Sequence, residues 1–254
     1  MSGDKGDSGN RRLIAEFKGY FLSALTIITV WSLTSYIVSS PALPQPFEVV
    51  IYFLIKLPEL SKHVAVSLFR VVYSIILALS ISIPLGLMCF KDSADRIISP
   101  FIFLLYPIPH IVLLPLIILL FGIGDASKIF LIAMILFFQI LVTTRDSARN
   151  ISEYYILSLK SLGASDWDVY RHVVFPASLP RILTAMRISV GTAIAVLFFA
   201  ESFATTTGLG YVIMDAWSRA DYKSLYAGII SMALLGFSMY IVLEIIEKRL
   251  CRWV

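Results

Sequence analysis

Apolar residues run along the chain in six long blocks separated by short polar breaks, and each block is long enough for a helix that crosses a bilayer. A hydrocarbon core about 30 Å thick needs about 20 apolar residues per helix. The blocks predict helices over residues 20–39, 64–90, 98–121, 128–144, 185–205 and 224–247. The fourth is near the lower limit of length for a span. The third carries Pro107, Pro109 and Pro115, each of which removes a backbone donor, so a kinked or broken helix is expected there. Residues 1–10 are rich in Gly, Ser and Asp, too polar to pack, and are expected to form a disordered tail. The first apolar block is too long for the core of a cleaved leader and no small-residue cleavage site precedes Pro41, so it is expected to stay in the membrane. The chain thus reads as all-α, a polytopic membrane domain over residues 20–250 behind a tail of residues 1–19.

Composition agrees with that pattern. Hydrophobic residues make up 58% of 254 positions and charged residues 15%, against about 25% charged in soluble domains. The net charge of +4 does not mark a nucleic-acid binder, because the basic residues are scattered between apolar blocks and form no continuous patch. Their distribution instead gives an orientation. Lys5, Arg11, Arg12, Lys18, Lys91, Arg96, Arg145, Arg149, Lys160, Arg171, Arg181, Arg187, Lys248, Arg249 and Arg252 fall on one side, fifteen of the 21 Lys and Arg. Positive connections tend to remain cytoplasmic, so both termini are expected in the cytoplasm of a cell (inner or plasma) membrane. Cys89 and Cys251 lie far apart at ends of apolar blocks and are expected to be free thiols.

The connection over residues 145–186 is far longer than a helical hairpin requires. Its sequence ILSLKSLGASDWDVYRHVVFPASLPRIL predicts a helix, a break, a short helix over residues 166–174, a second break and a new helix. Gly163 suits the left-handed conformation that closes a helix. Ser165 suits an N-cap, with Asp168 three residues on completing a capping box and Asp166 favouring the positive end of the helix dipole. Pro176 is expected to end the short helix, since the residue before a proline is pushed out of helical geometry. Trp167, Tyr170, Val173 and Val174 fall on one face of it. Two roles are open for that face: anchoring at the lipid interface, where such rings are enriched, or docking to a partner.

The same stretch resembles the motif of permeases of ATP-binding-cassette importers, an EAA triplet, a Gly three residues on, and nine residues before I-x-L-P. Gly163, Val173, Phe175 and Pro176 occupy the last four of those positions, while Leu157, Ser158 and Leu159 stand in place of the triplet. The segment YPIPHIVLLPLIILLFGIGDASKIFLI, the run VVFPASLPRIL, Glu201 followed by Gly208-Leu209-Gly210, and Trp253 are similar to the nitrate, sulfonate, taurine and bicarbonate branch of those permeases. The resemblance implies a type I importer fold with a coupling helix. It implies that the short helix from Gly163 through Ala164, Ser165, Asp166, Trp167, Asp168, Val169 and Tyr170 to Pro176 contacts a separate ATPase. It also implies two ATPase subunits that use ATP and Mg, a second permease copy in a homodimer, and an external solute-binding protein. The solute would cross by alternating access.

The residues themselves add limits. No G-x-x-x-x-G-K-[ST] loop is present, so ATP hydrolysis by the usual route belongs to a partner, and no cofactor is expected in this chain. Polar groups at membrane depth are Gln139 in the fourth block, Ser189 and Thr192 in the fifth, and Glu201 near its outer end. They either line a pathway or bond between helices. Thr192 and Glu201, nine positions apart, fall on opposite faces of a helix. Glu201 is expected to pair with Arg70 of the second span, or else to contact solute or gate the pathway. His63, His110 and His172 lie in different segments with no metal-site spacing beside them and are expected to be structural. Gly208 and Gly210 suggest a tight outer turn. A membrane enzyme would need clustered nucleophiles or carboxylates, which the sequence lacks. An ATP-independent carrier or channel is the other alternative. Outer charges balance, Lys56, Lys62, Lys128, Arg219 and Lys223 against Glu48, Glu59, Asp125, Asp215 and Asp221. Net loop charge therefore gives no support to anion focusing, and a vitamin precursor stands beside nitrate, bicarbonate, sulfonates and taurine as cargo.

Overall fold

The computed structural model describes residues 5–251 and 253, and the elements among them are helical. They are α1 (Lys5–Val38), α2 (Pro46–Met88), α3 (Asp92–Leu105), a 3-10 turn (His110–Leu113) leading into α4 (Leu114–Phe121), α5 (Asp125–Arg149), α6 (Glu153–Ser161), α7 (Asp166–Val169), a π turn (Tyr170–Val174) leading into α8 (Phe175–Glu201), α9 (Leu209–Ser218) and α10 (Tyr222–Leu250). Pro46–Met88, Asp125–Arg149, Asp166–Glu201 and Tyr222–Leu250 are each long and apolar enough to cross a membrane. Asp92–Leu105 and His110–Phe121 pass that test together and are bent by 75°, the broken third span that its prolines predict. In α1 the apolar part is the shorter helix Leu22–Val38.

The bundle closes around α2, α5 and α8. Ser74, Ala78, Ser82 and Gly86 of α2 are buried at four-residue intervals, so one face of that helix carries only small side chains and α5 can approach closely. A Cβ on Gly86 would stand 2.7 Å from Thr144 Cβ, too close to fit without displacing α5. Leu131, Leu136 and Ile140 of α5 and Leu197 and Ala200 of α8 fill the apolar core against Val71, and Leu209 and Ile213 of α9 seal it at one end. At the other end, the loop face that carries residues 145–186, Leu87, Ala148, Val169, Val174 and Ile182 form a second cluster.

Several boundaries differ from the sequence expectation. α2 begins at Pro46, not at residue 64, because Pro46 occupies the first turn, where its missing donor costs nothing, and Pro58 lies within the helix without ending it. The polar residues there are paired at helical spacing, Lys56 with Glu59 at 2.9 Å. The tail expected to be disordered is helical from Lys5, with residues 1–4 outside the described part. No proline interrupts the turns that lead into the apolar block, so the helix extends backward through them. The break expected at Pro176 is absent. The chain runs from Asp166 to Glu201 as one helix, because the Phe175 N–H reaches back five residues to the Tyr170 carbonyl. That widened turn gives the pyrrolidine ring room that an ordinary α turn would deny it. Gly208, at φ +107°, caps α9, and Gly210 lies inside its first turn, so the expected tight turn is the start of a helix.

Candidate functional site

The connection on the loop face is built by local capping. Gly163 adopts φ +85° after α6, a conformation open to glycine without steric cost. Ser165 accepts from the Asp168 N–H at 3.3 Å while the Asp168 carboxylate accepts from the Ser165 N–H at 2.9 Å, the reciprocal box its spacing predicts. Donation to that carboxylate from the Ser165 hydroxyl, and secondarily from the Ser165 N–H, holds it below the usual carboxylate range. Asp166 accepts from Lys91 at 2.7 Å and from Lys160 at 3.1 Å, so it pins the short helix to the α2–α3 turn and to α6. Hydrogen bonds from those two amines, Lys91 first, likewise lower its pKa.

The residues of that helix do not share one face as the spacing suggested. Val169 and Val174 are buried against Leu87 and Ile182, whereas Trp167 is 65% exposed and stacks on Tyr170 at 5.2 Å. Val169 carries the inward anchor, and Val173, expected with the aromatic pair, is half-buried. The π turn is the reason: one extra residue in the turn rotates the helix on its C-terminal side relative to the helix on its N-terminal side. Trp167 and Tyr170 border a groove of about 460 Å³ with Pro84, Met88, Phe90 and Ala94. Leu157, Ser158 and Leu159 lie on α6 behind it. A second set of ion pairs was not anticipated. Asp95 of α3 accepts from Arg145 Nε at 2.6 Å, and Asp92 from Arg149 at 2.5 Å. The readable signal was an acidic pair after the second span facing two arginines one turn apart after the fourth.

At the opposite end, Arg70 and Glu201 form the ion pair that their placement predicted, at 2.7 Å with exposures of 2% and 0%. The structure adds further partners to the pair. Glu201 also accepts from Ser67 at 2.9 Å and from the Gly210 N–H at 2.9 Å. Arg70 also donates to Asp125 at 2.6 Å and to the Thr207 carbonyl at 2.9 Å. A Cβ on Gly208 would strike the Glu201 carboxylate, and one on Gly210 would stand 2.6 Å from Glu201 Cβ, so both glycines are needed for α9 to close over the charge. His63 accepts from the Gly208 N–H at 3.2 Å, and its ring stacks on Tyr211, a structural role. Lys128, wholly buried, donates to the Ile123 and Gly124 carbonyls and closes the α4–α5 reversal. Lys56, Arg219 and Lys223 are tied to Glu59, Asp215 and Glu48, so three of the five outer cations sit in pairs with outer carboxylates.

The remaining intramembrane candidates separate. Ser189 is buried and donates to its own helix, to the Ala185 carbonyl at 2.7 Å, and so neither lines a groove nor joins two helices. Gln139 and Thr192 do come together. Both line a groove of about 420 Å³ between α5 and α8, and Gln139 continues into a second of about 300 Å³ with Thr143, Arg181, Thr184 and Ile188. Arg70 and Glu201 line neither. Among the described residues no group of three or more His, Cys, Asp or Glu is placed to hold a metal ion.

Residues 71–252 match the family described as binding-protein-dependent transport system inner membrane component. The chain is 31% identical to SsuC of Bacillus subtilis over 96% of this chain and 90% of that protein, whose name assigns it to aliphatic sulfonate transport. It is 32% identical to TauC of Escherichia coli, a taurine transport system permease protein, over 89% of this chain and 86% of that one. An inward-facing structure of the methionine ABC transporter MetNI superposes with a TM-score of 0.63 at 18% identity, covering 75% of this chain and 95% of that one. That likeness shows the fold.

Proposed function

The chain belongs to the family of binding-protein-dependent transport system inner membrane components, the permease subunits of ABC importers, and from that premise we propose that it carries a small sulfonate, taurine-like in size, through a homodimer. It is a transport subunit and no enzyme. In this proposal two ATPase subunits, using ATP and Mg, bind the loop face at residues 163–176, and a solute-binding protein delivers cargo to the opposite face. Both termini lie on the cytoplasmic side, as the excess of Lys and Arg on that side suggests. The similarity to SsuC and TauC over most of the chain supports the solute class.

The observation that carries the ATPase contact is the exposed Trp167 ring, stacked on the half-buried Tyr170, on a helix that is capped, salt-bridged and continuous with α8. An exposed ring backed by a second, half-buried one beside a groove is the kind of rigid apolar anchor that dominates interfaces. Gly163, Ala164, Ser165, Asp166, Asp168, Val169 and Pro176 shape and hold the helix that presents them. Closure of the ATPases would then move α8 and change access to the groove lined by Gln139 and Thr192, while Arg70 and Glu201 hold the far end of α8.

The test is co-purification of the tagged chain, in parent form and with Trp167→Ala and Tyr170→Ala together. The parent should bring down an ATPase and a solute-binding protein, and the double variant should lose the ATPase alone. A parent chain that purifies alone and moves solute in ATP-free vesicles would overturn the proposal.

A further inference from the structure

The break in the third span leaves backbone short of partners beside a cavity. Pro107 has no N–H, so the Phe103 carbonyl loses its helical donor, and the Ile108 N–H turns to the Leu105 carbonyl at 3.1 Å. Backbone left unpaired at membrane depth is tolerated only where it is buried in protein or faces a water-filled cavity. A cavity is there. Pro109 and His110, just past the break, line the groove of about 420 Å³ together with Tyr106, Gln139 and Thr192. The His110 ring is fixed by stacking on Phe138 at 4.7 Å. Gln139 lies near the middle of α5 (Asp125–Arg149), and its side-chain carbonyl is buried with no protein partner. A buried acceptor left unmade is costly, so its retention argues for a donor supplied from the groove.

No Asp, Glu, Lys or Arg lines this groove. The adjoining cavity toward the loop face carries one charged side chain, Arg181. Recognition at this depth therefore works through hydrogen bonds of both kinds, donors from His110 and Thr192 and an acceptor from Gln139, and not through a fixed counter-charge. We infer that His110, Gln139 and Thr192 form a charge-free selection point that favours a solute carrying both an ammonium donor and an anionic acceptor, a small zwitterionic aminosulfonate, over a plain anion of the same size. This rests on the proposed sulfonate cargo and specifies which member of that class the permease itself prefers. A plain alkanesulfonate offers only acceptors and leaves the Gln139 carbonyl unpartnered, and sites built around a hydrogen bond discriminate strongly against a ligand lacking its half of it.

The test uses the complete importer in proteoliposomes, with binding protein saturated by taurine or by ethanesulfonate so that its own selection does not enter. The variants are Gln139→Leu and Thr192→Val, both close to isosteric. Gln139→Leu should lower the taurine uptake rate about tenfold, the scale of one lost hydrogen bond, and change ethanesulfonate uptake less than about twofold, whereas Thr192→Val, which removes a donor to the sulfonate that both solutes carry, should lower the two rates alike. ATP hydrolysis stimulated by the binding protein should persist, showing that the variants fold and couple. For Gln139→Leu, equal loss for both solutes, or no loss for either, overturns the selection point and leaves the sulfonate cargo standing. A parent importer that moves neither solute overturns both. Should a variant lose its ATP hydrolysis, Thr192→Cys in a chain with Cys89→Ala and Cys251→Ala decides. Reaction with a water-soluble thiosulfonate at least about tenfold faster than at Tyr73→Cys, on an exposed face of α2, supports a wet groove at this depth, and equal rates overturn it.

Discussion

Glu201 and Arg70 should be energetically coupled, and the size of that coupling follows from their surroundings. The Glu201 carboxylate is fully buried and takes hydrogen bonds from Arg70, Ser67 and the Gly210 N–H. Removing it by Glu201→Ala strips the Gly210 donor of its acceptor and leaves a buried guanidinium with one remaining carboxylate, Asp125, which is 50% exposed. Breaking a buried pair in this way costs about 3–5 kcal/mol, most of it the penalty of the stranded partner. Arg70→Ala strands Glu201 by the same logic. The double variant strands neither and should cost less than the sum, by about 1.5–3 kcal/mol, at the upper end of coupling between residues in contact. The four chains would be unfolded by titration with SDS in mixed micelles and followed by tryptophan fluorescence. Additive losses, with a coupling below about 0.5 kcal/mol, would refute the claim that the pair acts as a unit.

Four further outcomes are expected. Gly208→Ala should destabilise by about 2–4 kcal/mol, from left-handed strain plus collision with the Glu201 carboxylate. By contrast Gly163→Ala, equally left-handed at φ +85° but with open space around it, should cost only about 1 kcal/mol in the same titration. Ser165→Ala should remove about 1 kcal/mol of capping from the short helix. It should reduce ATP hydrolysis stimulated by the binding protein while leaving unfolding of the membrane bundle unchanged. Lys91→Ala should leave thermal stability unchanged, since both partners of its bridge to Asp166 are about half exposed and such surface pairs contribute little.

Apolar periodicity made the helices legible, and residue-specific chemistry made legible the points where they stop. Gly163 and the Ser165–Asp168 box behaved as their local sequence required, because capping is decided within four residues. Pro176 did not, since whether a proline ends a helix depends on whether the preceding turn can widen, which its own sequence does not state. The Arg70–Glu201 pair was readable from two charges at one membrane depth. Asp125 and Thr207 were not, because their approach depends on how α5 and the segment before α9 fold over α2, whereas Ser67, one turn before Arg70 on α2, lay within reach of helical spacing. Gln139 and Thr192 were readable as polar groups at depth. His110, set aside as structural, joins them only through the bend of 75° between α3 and the helix after it. The small-residue face of α2 was present in the sequence as Ser74, Ala78, Ser82 and Gly86, and becomes meaningful once α5 is seen against it.

Under the proposed push from the ATPases, the unbroken helix from Asp166 to Glu201 would work as a reducing lever. Its far end is clamped through Glu201 to α2 and α9, and its near end carries the exposed ring of Trp167. Pivoting about Glu201, Thr192 sits about a quarter of the way along the arm at 1.5 Å per residue. A push on the order of 5 Å at the loop end, the scale of a one-turn slide, would therefore displace Thr192 by only about 1.3 Å. Such gearing trades distance for force. A large stroke outside the membrane becomes a small, strong one at the groove, enough to open or close a passage for a solute of a few atoms. It also makes the Glu201 clamp as necessary to the stroke as the surface that is pushed, since a lever without a fulcrum only drifts.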